Sequence, residues 1–224
     1  MTKALILLSG GLDSATTAAL MRSLDYEIYA LSFDYNQKHK FELESAKNIV
    51  KSLGIKHHKI IKIDSGIFQN SALTNDIEVP KNQAIDVNQI PVTYVPARNI
   101  LFLSYATAFA ESYQIKEIFI GANAIDYSGY PDCRPEFIKI FNQMINIGTK
   151  IGLEESISIK TPLIDLTKKQ IIEKGLNLNF DYSQTISCYD PDEFGHSCGV
   201  CDSCQIRLKA FNELGVNDNI KYKT

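Results

Sequence analysis

The chain has 224 residues, 45% of them hydrophobic, enough for one packed core with a small appendage. A formal net charge of -3 supplies no basic field for gripping duplex nucleic acid, and no run approaches the roughly 18 apolar residues of a membrane span. Ala4 to Leu8 is too short for the apolar stretch of a secretory leader, and four of the five cysteines crowd between 188 and 204, which fits a metal site better than disulfides. The expected location is the cytoplasm, with no nucleic-acid or membrane partner.

In chain order, Ala4–Leu8 reads as a buried strand, Ser14–Leu24 as a helix and Glu27–Phe33 as a second strand. Lys40–Leu53 carries apolar residues at helical spacing, and His58–Ile63 is a third strand. Residues 67–91 are rich in Asn, Gln, Asp and Ser without a firm period and read as a long surface loop. Asn99–Ser112 is a helix, Glu117–Gly121 a strand, Pro135–Ile147 a helix, Ser156–Lys160 a late strand and Lys168–Lys174 a short helix. From Asp181 the chain is cysteine-rich and loop-like, closing on a helix near Cys204–Leu214. Strands alternating with amphipathic helices predict an α/β fold, a doubly wound parallel sheet of Rossmann-like type.

The turn Ser9-Gly10-Gly11-Leu12-Asp13-Ser14 joins the first strand to the first helix. Glycines let backbone approach a ligand, the helix start presents free N–H groups, and the two serines add hydroxyls, a chemistry suited to phosphate oxygens. A plain helix cap is the alternative reading. The lysine of the common P-loop is missing, as is the spacing of the dinucleotide fingerprint. The stretch S-G-G-x-D-S resembles instead the pyrophosphate loop of ATP pyrophosphatases with an adenine-nucleotide α-hydrolase-like fold. Asp13 opposes a bare anion, so Mg²⁺ is expected with ATP.

Three further stretches narrow the resemblance: Phe33-Asp34-Tyr35-Asn36-Gln37-Lys38-His39, Val95-Pro96-Ala97-Arg98-Asn99, and the run from Gly121 to Pro135, "GANAIDYSGYPDCRP". With the cysteine cluster they resemble the 7-cyano-7-deazaguanine synthase family, over nearly the whole chain. Asn36 and Ala97 depart from the family pattern, which more often has glycine at both places. The resemblance implies a ligase. 7-Carboxy-7-deazaguanine is adenylated, ammonia displaces AMP to give an amide, and a second ATP activates the amide oxygen so that a nitrile remains. It also implies a homodimer.

It further implies an ATP-pyrophosphatase domain over 1–180 with a metal-binding segment, 181–224, packed on it as one unit. ATP would run along Leu8, Ser9, Gly10, Gly11, Leu12, Asp13, Ser14, Ala15, Thr16, Thr17 and Ala18, with Phe33 bounding the adenine. Asp13, Arg98 and Lys168 are the catalytic candidates; Arg98 offers a permanently charged planar fork, and Lys168 follows "TPLIDLT". For Lys168 a solvated helix face is the competing reading. Asp126, Tyr127, Asp132 and Arg134 are candidates for the deazaguanine, as carboxylates suit its N–H donors and aromatic faces can sandwich the ring; a loop that caps a neighbouring helix is the alternative. Cys133 reads as packing, and His39 as a solvated loop residue.

Cys188, Cys198, Cys201 and Cys204 form C-x9-C-x2-C-x2-C, the donor set of a tetrahedral, structural Zn²⁺ site. His196 is a weaker alternative ligand, and the continuation typical of ferredoxins is missing. Two other functions compete: a tRNA-thiolating ATP pyrophosphatase, and a zinc-ribbon binding module without catalysis.

Overall fold

A computed structural model describes residues 1–83, 89–123 and 129–223. Five strands, β1 (Lys3–Leu7), β2 (Glu27–Asp34), β3 (His57–Lys62), β4 (Glu117–Ile120) and β5 (Ser158–Lys160), form one sheet in the order β3-β2-β1-β4-β5. Every pairing is parallel, with Leu5 opposite Tyr29 on one side and Ile118 on the other. Among the described residues seven α-helices accompany them: α1 (Leu12–Ser23), α2 (Phe41–Ser52), α3 (Arg98–Tyr113), α4 (Pro135–Gly148), α5 (Lys150–Glu155), α6 (Lys168–Asn177) and α7 (Asp202–Leu214).

Strand alternation sorts the core into two layers. Leu5, Leu7, Leu31 and Ile118 pack with Leu103 and Ala106 of α3 and Ile138 and Phe141 of α4. Ala4, Ile6, Ile28 and Ala30 pack on the other face with Ala15 and Ala18 of α1, Ile49 of α2, Ile171 of α6 and Phe211 of α7. Helices thus cover both faces, as the alternating pattern predicts. The order reverses beside β1, which pairs with both β2 and β4, and such a switch point opens a crevice at the carboxyl ends of the strands.

Two backbone approaches shape that crevice. Gly10 holds φ +89, and a Cβ there would overlap the carbonyl oxygen of Glu42 at the start of α2. Gly121, just past β4, lies against the first turn of α1: a Cβ would sit 2.8 Å from the amide nitrogen of Ser14. The neighbouring Gly11 has φ -79 and ordinary room around it, so only the first glycine of the pair needs a left-handed backbone.

The polar stretch after β3 is not wholly a surface loop. Phe68, Ala72 and Val79 are buried, and the last two pack with Cys188, Cys201 and Cys204. A few apolar anchors among many polar residues leave no period to read. The sequence reading also passes over α5, a helix of six residues with Ile151 as its one buried side chain.

Asn36 and Ala97, where the resemblance leads one to expect glycine, both sit in left-handed backbone, at φ 57 and φ 55. Asparagine tolerates that region; alanine costs about 1 kcal/mol there. Ala97→Gly is expected to stabilise the protein by about 0.5–1 kcal/mol in urea unfolding; a loss of stability would show that the position is unstrained.

Candidate active site and metal centre

The crevice holds a cavity of about 240 Å³ whose floor includes Leu7, Leu31 and Ile120 at the strand ends. Ser9, Gly11, Asp13 and Ser14 line one wall. Here the loop is braced from within. The Ser9 N–H donates to Ser14 Oγ at 3.2 Å, the Gly11 N–H donates to Ser9 Oγ at 3.2 Å, and Ser14 Oγ donates to the Gly11 carbonyl at 3.1 Å. Gly11 is the N-cap of α1, and no side chain caps it, so the first N–H groups of the helix face the cavity wall without a built-in acceptor.

Lys168 is buried, not on a solvated face. Its Nζ donates to both carboxylate oxygens of Asp13 at 2.7 Å. One cation thus already stands beside Asp13 within the chain itself. Its placement follows from a capping box: the Thr167 hydroxyl accepts from the Gln170 N–H at 3.3 Å, and Gln170 Oε1 accepts from the Thr167 N–H at 2.9 Å. That box starts α6 so that its first residue meets the first turn of α1.

Leu8, Leu12 and Phe33 also line the cavity; one face of the Phe33 ring is covered by Phe102, stacked at 4.0 Å. Gly10, Ala15, Thr16, Thr17 and Ala18 lie outside the lining. Ala15 and Ala18 are fully buried in the core, the Thr16 hydroxyl meets the Tyr182 hydroxyl at 2.6 Å, and Thr17 donates to the Asp13 carbonyl at 3.0 Å. These residues support the loop from behind.

The lining also includes Arg98, Tyr35, Glu42, Asn99, Tyr130 and Cys133. Burial opposes the Arg98 charge, but Tyr35, Tyr130, Asp132 and Cys133 raise its pKa, and it stays protonated. Burial pushes the Cys133 thiol up to about 12, with Asp132 adding to it, so it is neutral near pH 7 and no ready nucleophile. Asn99 Nδ2 donates to its sulfur at 3.2 Å. Glu42 is a residue the sequence reading missed. Burial pushes its carboxyl up to about 7 against the pull of Arg98.

Asp132 does not line the cavity. It is buried, and its Oδ2 accepts the Asn99 N–H at 2.9 Å, which caps the first turn of α3 beside Arg98. The structure therefore favours the capping alternative for this residue, toward α3. Arg134 is exposed at the N-cap of α4, outside the lining. Asp126 and Tyr127 lie outside the described residues. His39 is half-buried, with burial lowering its pKa.

The four clustered cysteines place their sulfurs within 4.8 Å of one another, with Cys188, Cys201 and Cys204 buried. That spacing suits a tetrahedron of about 2.3 Å metal–sulfur bonds. Backbone N–H groups of Cys198 and Asp190 donate to Cys188 Sγ at 3.1 and 3.3 Å, and that of Cys201 donates to Cys198 Sγ at 3.3 Å. Hydrogen bonds from Cys188 and Cys204 drive the Cys201 thiol far down, while the same contacts drive Cys204 up. Four sulfurs gathered this closely, three of them on buried residues, make this a structural Cys₄ metal site. His196 is not among its donors: its Nδ1 meets Asp192 Oδ2 at 3.0 Å.

The metal segment also walls the cavity, through Ile186, Ser187, Tyr189, Ser203 and Arg207. Arg207, 1% exposed, holds Asp218 through two bonds of 2.6 and 2.9 Å and donates to Thr185 Oγ1 at 2.8 Å. Stripping the metal with a chelator is expected to open amide hydrogen exchange across 186–223, leave β1, β2 and β4 protected, and weaken nucleotide binding about 10-fold or more. Unchanged protection of 186–223 after complete metal loss would contradict this role.

A family model, "Queuosine biosynthesis protein QueC", matches residues 3–215. Curated relatives are similar over nearly their full length. A 7-cyano-7-deazaguanine synthase of Desulfatibacillum aliphaticivorans is 55% identical over 98% of this chain and 96% of its own. One of Syntrophus aciditrophicus is 56% identical over 96% and 95%. Among solved structures, the fold resembles a predicted subunit of tRNA methyltransferase from Methanocaldococcus jannaschii, with TM-score 0.51 and 18% identity over 100% of this chain and 93% of that one. It also resembles an NMN synthetase from Francisella tularensis, with TM-score 0.51 and 21% identity over 96% and 78%. With a parallel sheet, a serine–glycine loop at its switch point and a Cys₄ segment closing the crevice, the chain belongs to the queuosine biosynthesis protein QueC family.

Proposed function

We propose that this chain is an ATP-dependent ligase that converts 7-carboxy-7-deazaguanine and ammonia to 7-cyano-7-deazaguanine, releasing AMP and pyrophosphate at each of two activations. The observation that carries the reading is the meeting, in one cavity, of an uncapped helix start with two serine hydroxyls and a buried lysine reaching the same first turn. Its weight is greatest alongside relatives of the same name that are more than half identical over the whole chain.

In this reading Ser9, Gly11 and Ser14 receive the β- and γ-phosphates. Lys168 and Arg98 stand on either side of the bond that breaks and neutralise the charge that develops on the leaving pyrophosphate. Asp13 orients Lys168, and its carboxylate is the group suited to hold Mg²⁺ carried in with ATP. That ion would screen the phosphate charges when bound. Phe33 and the apolar strand ends bound the adenine. Asp132 acts through Asn99 by fixing the start of α3, and with it Arg98. The Cys₄ donor set fits Zn²⁺, in a structural role that joins 181–224 to the α/β domain of 1–180.

No helix among the described residues is long and apolar enough to cross a membrane. We further propose that two chains pair. Ile140, Met144 and Ile147 form an exposed stripe along α4, continued by Leu153 of α5, with Ile147 78% exposed. Such a stripe supports a chain-to-chain contact.

Incubation with ATP, ammonium and the carboxylic acid, followed by mass spectrometry, is expected to give the nitrile with two AMP and two pyrophosphate per product. ADP as the nucleotide product, or a requirement for tRNA and a sulfur donor, would refute the assignment. Lys168→Met is expected to lower kcat about 10²–10³-fold with a smaller change in the KM for the acid. For the pairing, Ile147→Glu is expected to shift the elution volume in size exclusion from dimer to monomer; an unshifted dimer would place the contact elsewhere.

A further inference from the structure

Both nitrogen steps of the proposed reaction release protons. Ammonia that attacks the adenylated acid becomes a positively charged nitrogen, and the adenylated amide must lose its N–H protons before it can become a nitrile. The site therefore needs a group that accepts protons near neutral pH.

Among the described residues lining the cavity there are two carboxylates. Both oxygens of Asp13 are engaged by Lys168 at 2.7 Å. The Glu42 carboxyl has no hydrogen bond or ion pair among the described residues; Arg98 acts on it electrostatically. Of the tyrosines in the lining, Tyr35 and Tyr130 are raised by burial and stay protonated, as does Cys133. Arg207 is occupied by Asp218. Glu42 is also fixed in place, because its own backbone carbonyl is the atom against which Gly10 packs. Its residue lines the same cavity as Ser9, Gly11 and Ser14 of the serine–glycine loop.

We propose that Glu42 is the catalytic base of this site and takes protons from nitrogen in both halves of the reaction. This rests on the function proposed above. In the first half, the nitrogen lone pair of ammonia forms the C–N bond. The bond from the acyl carbon to the AMP oxygen breaks with its electrons on AMP, and Glu42 takes the surplus nitrogen proton. In the second half, the amide oxygen has been adenylated and the nitrogen gives up its protons one at a time. With the last, the N–H electron pair becomes the third C–N bond, the C–O bond breaks toward AMP, and the proton goes to Glu42. Each proton is returned to solvent before the next arrives.

Several charges and titratable groups surround Glu42. Arg98 of α3 favours its ionised form, and Tyr35, after β2, shares its environment. Asp34 is turned toward Lys40 at 3.8 Å, and the Tyr182 hydroxyl toward Thr16. Tyr189 lines the same cavity from the metal segment. Burial against Arg98 sets the carboxyl at about 7, and nucleotide phosphates in the cavity would raise it further.

The test separates steps with and without nitrogen. ATP–pyrophosphate exchange driven by the carboxylic acid, without ammonium, needs no nitrogen proton transfer. Conversion of the amide to the nitrile by ATP needs two. In Glu42→Gln the exchange is expected to stay within about threefold of wild type, while nitrile formation from the amide falls about 10²–10³-fold. Wild-type nitrile formation is expected to rise with pH to a plateau with an apparent pKa of about 7 or above, a rise the variant lacks. Equal losses in exchange and nitrile formation, an unchanged nitrile rate, or a retained pH rise would each overturn the proposal. Wild-type enzyme that makes no nitrile from the amide would refute the underlying function instead.

The fold of the variant is checked by its stability. A carboxyl raised from 4.5 in the unfolded chain to about 7 in the native state makes wild type lose stability as pH climbs through that window. Glu42→Gln escapes this loss, so its melting temperature is expected to gain on wild type between pH 5 and pH 8. Should the glutamine variant fail to fold, Glu42→Asp, with the base at a shorter reach, is expected to show the same selective loss and to keep the pH rise.

Discussion

Gly10 has no room for a side chain because α2 begins against its back, with the Glu42 carbonyl in the space a Cβ would need. That single backbone contact sets the path of the loop between β1 and α1. It turns the Ser9 and Ser14 hydroxyls toward one another at 3.1 Å and leaves Gly11, not Gly10, on the cavity side. Gly121 closes the other flank by letting the end of β4 lie on the first turn of α1. The loop is thus held from two sides by main chain, which neither swings nor titrates, and the donors it presents are in place before any ligand arrives.

Around this rigid edge the charged groups are arranged in pairs, and the pairing decides what each can do. Lys168 and Asp13 neutralise each other in the resting site, as do Arg207 and Asp218. Arg98 and Glu42 are the pair without direct contact, and burial leaves Glu42 largely neutral below about pH 7. Arg98, with the Asp132 carboxylate nearby but no ion pair among the described residues, then keeps a positive charge in the cavity, a favourable place for phosphate oxygens. The metal segment enters the same arrangement. By gathering four cysteines it fixes residues 186–189 and the start of α7 as the wall facing the loop. A distant-looking knot of sulfur therefore shapes the crevice.

Much of the fold was legible because its signals are local. The apolar runs of β1 and β2, the helical spacing of α2 and the glycine turn each depend on neighbours in sequence, and each element lies within a few residues of its expected place. The cysteine site was legible for the same reason, its ligands falling within one short segment. What escaped depends on distant contacts. Nothing near Glu42 marks it, since an acidic residue in the first turn of a helix reads as a solvated cap; only the packing of α2 on Gly10 brings it to the cavity. Asp132 sits in the most specific-looking motif of the chain, yet its carboxylate is spent on Asn99, thirty-three positions away. For Lys168 the sequence leaves a catalytic role and a solvated helix face both open, and only the docking of α6 on α1 shows the side chain buried against Asp13. The buried anchors Ala72 and Val79 were hidden by the polar residues around them.

The central claim is positional, that the main chain at Ser9–Ser14 receives the two outer phosphates of ATP. A crystal structure with an ATP analogue whose α–β bridge resists cleavage addresses it directly. The account predicts density for the β- and γ-phosphates within hydrogen-bonding distance of Ser9 Oγ, Ser14 Oγ and the first amides of α1, with Lys168 and Arg98 flanking them. Phosphates bound against any other element, with this loop empty, would contradict it.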